Sequence, residues 1–232
     1  MNIKRIVSVV YLPIFVFLVQ SAHAVPVSGY MEGWDTNLAG WSANTTKTTV
    51  VHSATGGNPG GYLETSGNVS GSFDVGALTQ LSDVTGDFGG SIWTASVDLA
   101  FFSGAFDDAW LRFRYKDSTE NGWNYSLTNI FSSNWETFSV TFDTSWSDVD
   151  AMVNGWLPDN LSISSTSNPS QTWMTTMSDV YTTEVRLSGE GILRAGIDNF
   201  KLQAAVPSPA TIWLISLGLG LMVVKRNKNK LI

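Results

Sequence analysis

The side chains best suited to chemistry in this chain are carboxylates, arginines and tryptophans. There is no Cys, and the histidines are His23 and His52. A thiolate nucleophile, a disulfide framework and a Cys-ligated metal are therefore excluded. A multi-His zinc site or a Ser–His nucleophile is nearly so. Glycoside hydrolysis needs two carboxylates flanking one bond. The candidate pairs are Asp107/Asp108 and Asp148/Asp150. Neither forms an alternating acidic motif on an apolar strand, and Asp107-Asp108 reads as a turn after Gly104. A secreted glycoside hydrolase is thus the alternative reading, and a non-catalytic protein the preferred one.

A second pattern suits binding. In 109–117 (AWLRFRYKD), Leu111, Phe113 and Tyr115 alternate with Trp110, Arg112, Arg114 and Lys116. Sugars are held by aromatic rings plus a few polar groups that grip hydroxyls. Trp110 with Arg112 two residues on offers such a platform on the strand face away from the core. The bland alternative is a solvated, salt-bridged face, with Asp98 as the arginines' partner if the strands are neighbours. Trp123 and Tyr125 read either as a loop-tip contact or as a cap on the end of the fold. Trp110, Arg112 and Trp123 are the ligand-binding candidates.

The elements that must position these residues are strands. In 91–102 (SIWTASVDLAFF), Trp93, Ala95, Val97, Leu99 and Phe101 share one face. In 135–143, Phe138, Val140 and Phe142 do the same. Short strands are predicted over 183–187 and 197–202, with Gly-, Asn- and Ser-rich turns at 56–61, 86–90, 117–122 and 162–170. No helical periodicity of any length appears between Val25 and Ala205. The pattern predicts an all-β, antiparallel sandwich, with Trp93 as its safest core residue. The stretch 145–177 is irregular, but its Trp146, Trp156 and Trp173 predict a packed loop or a short helix.

Charge is distributed unevenly. The whole chain carries −7, yet 25–205 holds all 20 acidic residues against seven basic ones, a formal −13. That balance argues against a nucleic-acid partner and supplies hard oxygen ligands for Ca²⁺. Residues 1–24 read as a secretory signal peptide for signal peptidase. Lys4 and Arg5 precede the apolar run Ile6–Val19, and Ala22-His23-Ala24 fits the cleavage rule. The alternative is an uncleaved anchor, for which the run is short against ~20 residues. At the other end, Val206-Pro207-Ser208-Pro209 precedes the 14 residues Thr211–Val224, then Lys225, Arg226, Lys228 and Lys230. Fourteen helical residues reach about 21 Å against ~30 Å of hydrocarbon, a marginal transmembrane helix with its basic end cytoplasmic.

This motif, short span and basic tail resemble the PEP-CTERM sorting signal of Gram-negative bacteria, with Ser208 where Glu is usual. The resemblance implies transient inner-membrane anchoring, cleavage by an exosortase-type protease, and a destination at the cell surface or in the extracellular, exopolysaccharide-rich matrix. A plain C-terminal tail anchor is the alternative. Between the termini, Met31-Glu32-Gly33-Trp34 with Gly40-Trp41, then 56–63 (GGNPGGYL), then 195–202 (AGIDNFKL) look like a laminin IV type A (laminin B) domain and the related jelly-roll carbohydrate-binding modules. This implies a jelly-roll β-sandwich over 25–205 with its first and last strands adjacent. It also implies a structural Ca²⁺ held by Glu32, the carbonyls around Gly60 and Gly61, and Asp198. By its own phase Asp198 falls with Phe200 and Leu202 on the inner face, where a carboxylate needs a partner or a metal. The alternative is an Asp satisfied by a turn or by Arg194. The expectation is an exported, non-catalytic surface or matrix protein with a polysaccharide ligand.

Overall fold

The predicted alternation becomes ten antiparallel strands and two short helices in the computed structural model, which describes residues 24–69, 74–115, 122–159 and 172–205. The strands are β1 (Tyr30–Glu32), β2 (Trp41–Ala43), β3 (Thr48–Gly57), β4 (Gly60–Val69), β5 (Asp74–Thr79), β6 (Ile92–Tyr115), β7 (Gly122–Thr128), β8 (Glu136–Asp143), β9 (Trp156–Pro158) and β10 (Val180–Ala204). The helices are α1 (Asp148–Val153) and α2 (Trp173–Met177). The predicted terminal helices, the sorting residues Val206, Pro207, Ser208 and Pro209, and Lys116 lie outside the described residues. No helix among the described residues is long and apolar enough to cross a membrane.

Two long strands organise the fold. The sequence predicts four shorter strands where the chain makes two, because β6 and β10 bend and continue instead of ending. β6 passes through Gly104 at φ +107° without leaving the sheet. Asp107-Asp108 is therefore strand and not turn. The first half of β6 pairs with the second half of β10 (Ile197↔Leu99, Leu202↔Ala95), and the second half of β6 pairs with the first half of β10 (Val185↔Leu111). Register shifts between Ser188 and Arg194 mark the bend in β10.

Each half carries its own neighbours. β4 and β3 flank β10 on one side of the first layer, and β8 flanks β6 on the other. In the second layer the order is β2-β5-β10-β6-β7-β9. The chain's opening strand lies against its closing one, Tyr30 opposite Leu202, as the resemblance implies.

Between the layers lies one core. Trp93, Ala95, Val97, Leu99 and Phe101 are all buried on one face of β6, as are Leu111 and Phe113 further along it and Val140 and Phe142 on β8. Aromatic rings fill the space between layers: Phe88 packs 5.3 Å from Phe113, and Trp41 5.2 Å from Phe200, centroid to centroid. The irregular stretch packs as expected, with Trp156 and Trp173 fully buried 4.9 Å apart. Its helix α1 begins at a capping box in which Ser147 and Asp150 satisfy each other's backbone N–H groups.

Candidate functional site

Strand alternation gives each layer an outer face, and both outer faces are chemically rich. The second layer's face is ionic. Arg112 on β6 stands opposite Glu184 on β10 and Asn124 on β7, and Trp110 stands opposite Arg186 and Ser126. Arg112 Nε and Nη2 donate to Asp159 Oδ2 at 2.9 and 2.5 Å, and its Nη1 donates to Glu184 Oε2 at 3.1 Å. Glu184 also accepts from Arg114 Nη2 at 2.6 Å and Asn44 Nδ2 at 2.9 Å. Arg186 Nε donates to Asp74 Oδ2 at 2.6 Å while its guanidinium lies 5.0 Å over the Trp110 ring. Burial alone would lower the Arg112 pKa; the charges of Glu184 and Asp159 outweigh it and hold the guanidinium charged. Arg114 Nε and Asn124 Oδ1 are buried without a partner on this face.

Trp110 is half-buried beneath Arg186, whereas Arg112 is 4 % exposed and locked between two carboxylates. The arginines' partners are Glu184, Asp159 and Asp74, not Asp98, which sits in the other layer. Trp123 requires a correction. It is on the core side of β7, 1 % exposed, edge-on to Trp173 at 5.4 Å, and presents nothing to a surface ligand. Its parity with Phe113, directly opposite, decides this.

The first layer's outer face combines carboxylates with aromatic rings. Asp198 lies directly opposite Asp98, whose neighbours Val97 and Leu99 are core, so both carboxylates leave the core side. The sequence phase placed Asp198 inside. A bulge between Asp198 and Lys201, with Asn199 at φ +50°, resets the alternation so that Phe200 and Leu202 point inward instead. Asp198 is nevertheless fully buried, because the β3–β4 turn folds over it. Asn58 N–H donates to Asp198 Oδ2 at 2.5 Å, and Asn199 N–H donates to Oδ1 at 2.7 Å. Asn58 Nδ2 and Asn199 Nδ2 both reach Asp98 Oδ2, at 3.1 and 2.8 Å, and Thr137 Oγ1 donates to Asp98 Oδ1 at 2.6 Å. Asn199 Nδ2 also donates to the Asn58 carbonyl. Burial, reinforced by the charges of Asp98 and Asp35, raises the Asp198 pKa despite its two N–H donors. Arg194 pairs with Glu64, not with Asp198.

Calcium asks for six to eight oxygens. The oxygens around the turn suit it in type. A Cβ on Gly57 would sit 2.1 Å from the Gly61 carbonyl and 2.7 Å from Asp198 Oδ2, and one on Gly60 would sit 2.1 Å from Asp35 Oδ1. The Trp34 carbonyl lies against Gly61 and accepts from His52 Nε2 at 2.8 Å in the corresponding tautomer. Glu32 Oε1 accepts from Trp34 N–H at 2.8 Å. Among the described residues no three acidic or histidine side chains converge in a metal-binding group, so carbonyls would supply much of any shell.

Beside this cluster lies a patch that the sequence reading missed. Tyr62, Phe102 and Trp135 form a ring cluster with centroids 5.4, 5.8 and 6.1 Å apart. Trp135 Nε1 donates to the Gly56 carbonyl at 2.9 Å. Arg194 lies 5.2 Å over Phe102 and makes two 2.6 Å bonds to Glu64. The signal was present as parity: Tyr62 and Glu64 alternate with buried Leu63 and Thr65. Three of the four candidate hydrolytic carboxylates make bonds that hold the fold, and Asp107 is exposed on β6. Asp148 accepts from Trp173 N–H at 2.6 Å, Asp150 caps α1, and Asp108 accepts from Ser126.

This two-layer architecture recurs in solved structures. The family 11 module of the cellulosomal cellulase Lic26A-Cel5E of Clostridium thermocellum matches with a TM-score of 0.51 at 15 % identity, over 79 % of this chain and 98 % of that one. This chain shares the β-sandwich fold of that module. The CBM22-1–GH10 modules of the Clostridium thermocellum xylanase 10B, complexed with xylohexaose, match at 0.50 with 12 % identity over 77 % of this chain. An exo-β-agarase matches at 0.54 with 11 % identity over 78 %. The match spans only 29 % of the xylanase chain and 25 % of the agarase. At such identities the likeness is one of fold. No family model matches the sequence, and no curated protein is detectably similar to it.

Proposed function

We propose that this chain is an exported, non-catalytic glycan-binding protein of the bacterial surface or matrix. The observation that carries the reading is the outer face of the second layer, in a fold that carbohydrate-binding modules share. There a tryptophan ring lies beside arginine, carboxylate and amide groups whose positions are fixed by mutual bonds. Fixed groups lose little freedom when a sugar replaces water on them, so hydroxyls are gripped at low entropic cost. Asn124 illustrates this, its Nδ2 held by Asp159 Oδ1 at 2.5 Å. The part of the Trp110 ring that Arg186 leaves exposed supplies the stacking surface, while Arg112 acts through Glu184 and Asp159 as a positioning residue.

The same proposal takes residues 1–24 as the export signal and 206–232 as a PEP-CTERM-like segment for an exosortase-type protease. Both rest on residue pattern alone. Ca²⁺ also belongs to it. Glu32, Asp198 and the carbonyls of the Gly60–Gly61 turn would hold the ion, which would neutralise buried carboxylate charge and pin the turn. The test of binding is retention of the mature protein on immobilised or arrayed neutral polysaccharides. Trp110→Ala is expected to weaken retention about tenfold, with no release of reducing ends by either protein. Failure to retain any glycan would sink the reading, and hydrolysis would favour the glycosidase.

A further inference from the structure

We propose that the Tyr62–Phe102–Trp135 cluster is a second glycan-contact surface, on the face opposite the ionic one, which takes neutral pyranose chains by ring stacking. The inference rests on the glycan-binding reading but uses different residues on a different layer.

Three observations carry it. First, Gly196 lies beneath Trp135: a Cβ there would come 2.5 Å from Trp135 Cη2 and 3.0 Å from Phe102 Cζ. The strand is bare where the far edge of the indole (Cη2 and Cζ2) closes on it, so the glycine makes room for the ring on this outer face. Second, the cluster faces outward. Trp135 and Phe102 are half-buried and Tyr62 forms the floor beneath them. Core packing does not account for rings on this side of β4 and β6, because the core lies on the other side. Third, the charge at the patch is cancelled. Arg194 over Phe102 is held by a two-pronged bond to Glu64, so this guanidinium is not free to take an anion.

The occupant follows from charge. A body of formal charge −13 repels polyanions and a second copy of itself. Half-exposed rings beside a neutralised ion pair fit an uncharged ligand with apolar C–H faces and a rim of hydroxyls. A neutral pyranose polymer has that chemistry. Rings on both outer faces would also let one module touch two chains and bridge them.

The test compares binding of the mature protein to neutral insoluble and soluble polysaccharides (a mixed-linkage glucan, a xylan, an agarose) by depletion isotherm, with thermal melting as a folding control. Trp135→Ala and Phe102→Ala are each expected to weaken binding about tenfold or remove one class of sites from the isotherm. Gly196→Ala keeps every ring but forces Trp135 off the strand. It should lose binding while the melting temperature moves little, since the displaced atoms are the far end of a side chain. Trp110→Ala should leave this class of sites intact. Wild-type binding that survives all three patch variants unchanged would overturn the inference and leave the ionic-face reading standing. Wild-type protein that binds none of the polymers would overturn both. A dimer that Trp135→Ala splits, with binding unchanged, would make the patch a contact between copies and overturn the inference.

Discussion

At the residue scale the most informative group is Asp198, a carboxylate buried opposite another carboxylate. Its pKa is raised, chiefly by burial. The folded state therefore holds this proton more tightly than the unfolded chain, where an aspartate titrates near ~3.9. Linkage then requires that stability rise as pH falls from neutral through the raised value, and that the gain be complete below the unfolded one. Asp74 is raised by burial too, against the pull of Arg186, and adds in the same direction. Glu64 is lowered by its bond from Arg194 and acts oppositely, its contribution being lost as pH falls through that lowered value. We expect, in chelator, that wild type gains melting temperature relative to Asp198→Asn as pH drops from 7 toward 4. A constant difference across that range would show that another group titrates. A bound Ca²⁺ would reverse the trend, since the ion needs the ionised carboxylate.

At the element scale β10 decides what the sequence reveals and what it hides. Its apolar alternation predicted two correct strand segments, and the resemblance to jelly-roll domains supplied the right neighbours for the chain's ends. It also predicted the wrong face for Asp198, because a bulge costs one residue of phase and leaves no mark in hydropathy. Asn199 makes that bulge possible: at φ +50° it occupies the left-handed region that asparagine tolerates better than most residues. Its Nδ2 also ties Asp98 to the turn. Asn199→Ala should therefore destabilise by about 2–4 kcal/mol in urea unfolding, from strain plus lost bonds to buried acceptors. Asn199→Gly removes the strain and should fall between. Equal stability of all three would mean that the turn is not anchored there. The ionic face was legible from Trp110 and Arg112 because strand parity alone places them. Trp123 was misread because its strand, β7, was not recognised, and a tryptophan beside Gly122 looked like a loop tip. The aromatic patch escaped because its members come from β4, β6 and the segment before β8. Only the pairing of those strands brings them together.

At the scale of the whole molecule the two outer faces sit on a strongly acidic body, and that body must be placed where its ligand is. The termini supply the means in the proposed reading, and they make a prediction that no feature of the sandwich can mimic. Protein recovered from cells and from growth medium should have an intact mass that begins at Val25 and lacks the basic tail of Lys225–Lys230. Changing Pro207 and Pro209 to Ala should leave the first cleavage untouched, because signal peptidase reads Ala22 and Ala24. It should block the second, leaving a longer species in the membrane fraction with its sandwich outside. The charge asymmetry explains why this matters. In that reading a body of −13 joined to a basic tail would be held at the membrane by an apolar stretch that spans it only marginally, and loss of that stretch would release the module. If both forms keep residues 1–24 and 206–232 and remain in the cytosol, the two faces never meet an extracellular polymer, and the glycan reading fails whatever the purified domain can bind.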